Sequence, residues 1–153
     1  MTMRDQPDYD WELEQHVPDL ERIERYGLGH TDEYGGHWLE DHVFLGVAFT
    51  DALPEHEPAL KTLLDLPNRL RAVRCDFSLA HLRQVQAELH EAEMRQGRAG
   101  ATKPEGVIGL GLDVRRNVVV VRVLTECSDV AERLKSQYGP VVDIEFGGPA
   151  IAF

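Results

Sequence analysis

Two stretches of this chain, 75 residues apart, read alike. WLEDHVFLGVAFT (residues 38–50) lies over DVRRNVVVVRVLT (residues 113–125), with Val43 on Val118, Leu45 on Val120, Phe49 on Leu124 and Thr50 on Thr125. The turns match as well, His42 falling on Asn117. Each stretch is followed by a helical pattern and then by a strand of alternating character, so the chain is expected to build a ββαβ unit twice. Three strands and one helix leave a sheet face open, so the two copies either pack together or meet a partner. The predicted fold class is α+β: two tandem ββαβ units, ferredoxin-like, with antiparallel three-stranded sheets packed on helices.

Local signals divide the chain. Residues 1–30 read as a polar tail and a helix over 11–26 that Pro18 interrupts and restarts, with Leu20, Ile23 and Tyr26 on one face. Residues 31–95 hold the first unit and a linking helix. That unit has two strands around Glu40-Asp41-His42, a helix over 51–66 and the alternating strand RLRAVRC at 69–75. The linking helix is the clearest in the chain, with Ser78 as N-cap and Leu79, Leu82, Val85, Gln86 and Leu89 as its buried stripe. Residues 96–106, QGRAGATKPEG, form a glycine-containing linker. The second unit and an apolar tail occupy 107–153: strands at 107–114 and 118–124 around a turn in which Asn117 tolerates the left-handed conformation, a helix capped by Ser128, and a last strand at 141–146.

The run Val118, Val119, Val120, Val121 means a strand covered on both faces or nearly so. Arg122 interrupts it and Arg115 and Arg116 flank it, the placement of charges that discourage edge-to-edge aggregation. A central core strand with charged gatekeepers explains the pattern; so does an edge that adds to a partner's sheet.

The sequence has 153 residues, 42% of them hydrophobic, which suits one domain or two small units with a real core. A formal net charge of −11 opposes phosphate backbones and anionic lipid surfaces, so neither nucleic acid nor membrane is the expected partner. The first residues carry no secretory signal pattern and no apolar run is long enough to span a bilayer, so the expected location is cytoplasmic. Cys75 and Cys127 stand far apart and form no metal framework.

The stretch CDFSLAHLRQVQAEL, followed after the linker by GVIGLGLDVRRNVVVVRV, resembles the pro-regions of secreted bacterial chymotrypsin-like serine proteases, the α-lytic protease and streptogrisin group. The matching residues are Phe77, Ser78, Leu82, Gln86, Asp113, Asn117, Val119, Val120 and Val121, and residues 32–51 resemble the first half of such pro-regions. The likeness covers about residues 32–146 and rests on short structural motifs; the pro-region-like chain is expected to be free-standing, without the protease. It implies a fold of two small α+β halves, a role as folding template and inhibitor, and a partner that is a protease or another protein. It places partner binding on Val118, Val119, Val120, Val121 and Arg122, or on the last strand, with Gly147, Gly148, Pro149, Ala150, Ile151, Ala152 and Phe153 as a cleft-entering tail. A homo-oligomer paired through exposed sheet surfaces is the second expectation.

Enzymatic signals are weak, so no catalytic residue, cofactor or metal is expected. There is no G-x-S-x-G, and Ser78, Ser128 and Ser136 lie in helices or at caps. GLGLDV lacks the spacing and lysine of a phosphate loop. His30, His37 and His42, with Asp32, Glu33, Glu40 and Asp41 nearby, invite a metal reading but lack helical ligand spacing. A deep cleft gathering His30, His37, Asp32 and Glu33 would favour a small metal-dependent or hydrolytic enzyme. His81 and His90 read as surface residues. Cys127 lies near a helix start that would activate a thiol, with no companion base. Arg69, Arg71, Arg74 and Arg83 form a basic stripe expected to pair with the protein's own carboxylates.

Overall fold

The computed structural model describes residues 9–95 and 106–147. In order, the elements are α1 (Tyr9–Leu28), β1 (Tyr34–Glu40), β2 (Phe44–Phe49), α2 (Leu53–Lys61), β3 (Leu70–Arg74), α3 (Leu79–Leu89), β4 (Val107–Asp113), β5 (Val118–Leu124), α4 (Ser128–Tyr138) and β6 (Val142–Gly147). Six residues of π-helix, His90–Arg95, extend α3. The chain is α+β, with two similar three-stranded sheets ordered β1-β2-β3 and β4-β5-β6. The compact units divide between Leu79 and Ala80. Most of α3 therefore belongs to the second unit, as α1 belongs to the first, and the repeat is αββαβ.

The sheets are mixed rather than antiparallel. Each hairpin pair is antiparallel, but β3 lies parallel to β2 and β6 parallel to β5. A helix returns the chain to the end where the previous strand began, and the next strand then enters in the same direction.

The register differs from the sequence alignment by one residue in the central strands. Leu45, Val47 and Phe49 pair with Leu70, Ala72 and Arg74 as Val119, Val121 and Val123 pair with Val142, Ile144 and Phe146. All six central-strand residues are inaccessible. Leu45 thus corresponds to Val119, not Val120; because strand side chains alternate, the one-residue slip would exchange core for outer face. The alignment matched the turns correctly, His42 and Asn117 both having positive φ (59° and 61°). It failed because β5 begins directly after Asn117, whereas Val43 separates His42 from β2.

Pro18 does not break α1. It removes one backbone donor, but His16, Asp19 and Ile23 around it are all wholly buried, and tertiary packing outweighs the lost bond. The Asp19 carboxylate accepts from the backbone N–H groups of Asp65 and Leu66 at 2.8 and 2.9 Å. Those donors are therefore unavailable to prolong α2, which ends at Lys61 rather than Leu66. In the second unit Cys127, not Ser128, holds the N-cap position of α4; Ser128 is in its first turn.

The first core joins Ile23 of α1, Tyr34, Leu45, Val47, Phe49 and Leu70 of the sheet, Leu60 of α2 and Leu64 after it. The second unit buries Leu82, Val85 and Leu89 of α3, Val107, Val119, Val121 and Val123 of the sheet, and Ala131 and Leu134 of α4.

Candidate partner-binding surface

In β5 the sequence-predicted binding residues divide between two faces. Val119 and Val121 are core; Val118 and Val120 are half-buried on the opposite, outer face, where Arg122 is exposed. β5 is also the central strand, paired on both sides. It has no free edge, so edge addition at Val118–Val121 is corrected: these residues can meet a partner only through the outer face, and a free edge belongs to β4 or β6. Gly147 ends β6, its carbonyl accepting the Thr125 N–H at 3.2 Å. Gly148, Pro149, Ala150, Ile151, Ala152 and Phe153 lie outside the described residues.

The outer face is a low ridge with a trough beside it. Val120 and Arg122 stand opposite Gly111 and Gly109 of β4. A side chain at Gly111 would meet nothing within 4 Å. Across the ridge, Asp143 and Glu145 of β6 pair in register with Val120 and Arg122. Arg116 donates to Asp143 at 2.6 Å and also lies 3.8 Å from Asp113; these carboxylates hold the guanidinium pKa above its usual value. At the edge, Glu145 is exposed and the large apolar Phe146 is 48% exposed. No described strand pairs with the outward side of β6.

A second feature lies in the first unit, and sequence reasoning met only part of it. His30 and Glu33 do come together, but around His56. The Glu33 carboxylate accepts from His56 Nε2–H, and Tyr26 O–H donates to Nδ1 at 2.7 Å. Phe49 stacks on the His56 ring at 4.2 Å, and His30 stacks on Tyr26 at 4.3 Å. Both ring nitrogens are thus committed, and at 4% exposure His56 binds the end of α1, the loop before β1 and α2 to one another. Its inward position was readable: His56 precedes the buried Leu60 by one helical turn. His37 lies elsewhere, bonded through Nδ1 to Tyr34 Oη, and burial pushes its pKa down. His42 sits at the hairpin turn. Among the described residues, no three His, Cys, Asp or Glu side chains converge as a metal site.

The remaining candidates are dispersed. Arg71 lies over the Phe44 ring at 3.5 Å, and Arg69 approaches His16 Nε2 at 3.3 Å, so these members of the basic stripe meet rings rather than carboxylates. Burial pushes the Cys75 thiol up to about 11. A groove of about 580 Å³ runs along α3, lined by Arg83, Gln86, His90, Met94 and Leu110 among others. No helix among the described residues is long and apolar enough to cross a membrane. Compared with known proteins, the chain matches no family model and no curated protein sequence.

Proposed function

We propose that this protein is a non-enzymatic protein-binding module whose working surface is the second sheet, its outer face and its β6 edge. The observation that carries the reading is the edge itself: a strand paired on one side only among the described residues, with Glu145 and the large apolar Phe146 exposed, beside an outer face that combines Val118, Val120 and Leu124 with a glycine trough. An edge strand offers a row of backbone donors and acceptors to an incoming strand, and alternate side chains select which strand enters. The resemblance to protease pro-regions supports a serine protease as partner, with this protein acting as inhibitor or folding aid.

The test is titration of a streptogrisin-type protease with the full chain and with a form truncated after Phe146. Inhibition by the full chain that the truncated form loses assigns the cleft to the tail. Inhibition by both assigns the contact to the sheet. Failure of both at micromolar concentration refutes the protease as partner. A second reading, self-association, is favoured by the opposite charges of β3 and β6.

A further inference from the structure

The duplicated units present the same edge with opposite charge. Register equates Gly46 with Val120 and Ala48 with Arg122, so Arg71 of β3 occupies the place of Asp143 in β6, and Val73 that of Glu145. β3 reads Leu70-Arg71-Ala72-Val73-Arg74, with Arg71, Val73 and Arg74 exposed. β6 reads Val142-Asp143-Ile144-Glu145-Phe146-Gly147. Both are edge strands, and among the described residues neither has a strand on its outward side. Among the described residues Arg71, Arg74 and Glu145 have no ion-pair partner within 4 Å, Glu145 acting only at longer range on Arg116, which is bonded to Asp143.

We propose that β3 of one molecule pairs antiparallel with β6 of a second copy, an inference that rests on reading β6 as a binding edge and names the strand that fits it. Setting Ala72 opposite Ile144 brings Arg71 opposite Glu145 on the outer face, Val73 beside Asp143, and Leu70 beside Phe146 on the core face. Opposite charges directly across a strand pair attract and like charges repel. Pairing β6 with β6 sets Asp143 against Glu145; pairing β3 with β3 gathers Arg71 and Arg74 of both copies along one seam. Only the head-to-tail combination is complementary. A net charge of −11 on each chain disfavours unspecific contacts between copies. Because the two surfaces differ, the contact is heterologous and propagates to chains or closes to a ring.

Sedimentation velocity over a concentration series to the millimolar range, at low and at high salt, tests this with the full chain. The wild type is expected to show mass rising with concentration, more at low salt. R71E and E145R each place like charges across the seam and are expected to weaken association at least tenfold. The equimolar mixture of R71E and E145R, and the double variant R71E/E145R, restore opposite charges and are expected to recover it. Recovery in the double variant also shows that the strands stay folded without the Arg71–Phe44 contact.

A wild type that stays monomeric throughout overturns the proposal, as does an R71E that associates like wild type or a mixture that does not recover. The protease titration separates the two readings. Protease inhibition by a strictly monomeric wild type removes the self-pairing alone; self-pairing without inhibition removes the protease alone.

Discussion

Replacing Asp19 by alanine tests whether one buried carboxylate sets the shape of the first unit. Asp19 is wholly inaccessible on α1 and accepts from two backbone donors, Asp65 and Leu66, some 46 residues further on. A hydrogen bond to a charged group contributes about 1.5–3 kcal/mol net. Water can reach the exposed segment around Asp65 in the variant, so the low end applies and the two bonds together are worth about 3 kcal/mol. The Arg22 guanidinium, 2.8 Å from the same carboxylate and 3.0 Å from Asp65, is partly exposed, so solvent screens it and it adds less. Asp19→Asn keeps one acceptor oxygen but turns an amide NH2 toward the other backbone donor and removes the charge, so it is expected to lose more than half as much. Both tryptophans, Trp11 and Trp38, precede Leu79, so urea denaturation followed by tryptophan fluorescence reads the first unit selectively. Arg22→Ala serves as control, with a far smaller shift. A loss below about 0.5 kcal/mol for Asp19→Ala would refute the argument, because water would then be replacing the carboxylate without cost.

Gly46→Ala places a Cβ 2.2 Å from the Trp38 indole, so a loss of about 1–3 kcal/mol and a shifted tryptophan emission are expected, both relieved by adding Trp38→Leu. Val121→Ala should cost about 2 kcal/mol and Val120→Ala less than half of that in urea titrations read by circular dichroism; the reverse order would overturn the register. For His37 the sign follows from burial, which holds the folded-state pKa below 6.5 while the Glu24 charge offsets only part. The unfolded chain then takes the proton first, and stability falls as pH drops through that range. Urea midpoints at about pH 7.5 and 5.5 should differ more in the wild type than in His37→Gln.

How much of this was legible in the sequence depended on whether the deciding force was local. β5 is bounded as its pattern predicts, and Asn117 adopts the left-handed conformation its side chain tolerates. The α+β duplication follows from a repeated local pattern. What escaped was decided by distant groups. Pro18 argues for a break that buried neighbours override, and the end of α2 depends on donors claimed by Asp19. The His56 cluster needs Tyr26 and Glu33 from other segments. Edge or centre in a sheet is likewise a property of topology, so four valines in a row fitted the central core strand that β5 is without excluding an edge.

Every strand pair closes within its own unit, and β1 to β3 are all complete before β4 begins. A chain emerging from the ribosome can therefore finish its first sheet while the second hairpin is still unmade. This order matters for a tandem repeat, whose characteristic error is the exchange of similar strands between units. The differences between the copies act as a second safeguard. The tight Asp41-His42 turn, with both residues at positive φ, cannot be exchanged for the longer turn ending at Asn117 without shifting the strand by one residue and exposing its core side. Divergence between the two halves thus serves the fidelity of folding: each hairpin is a poor template for the other.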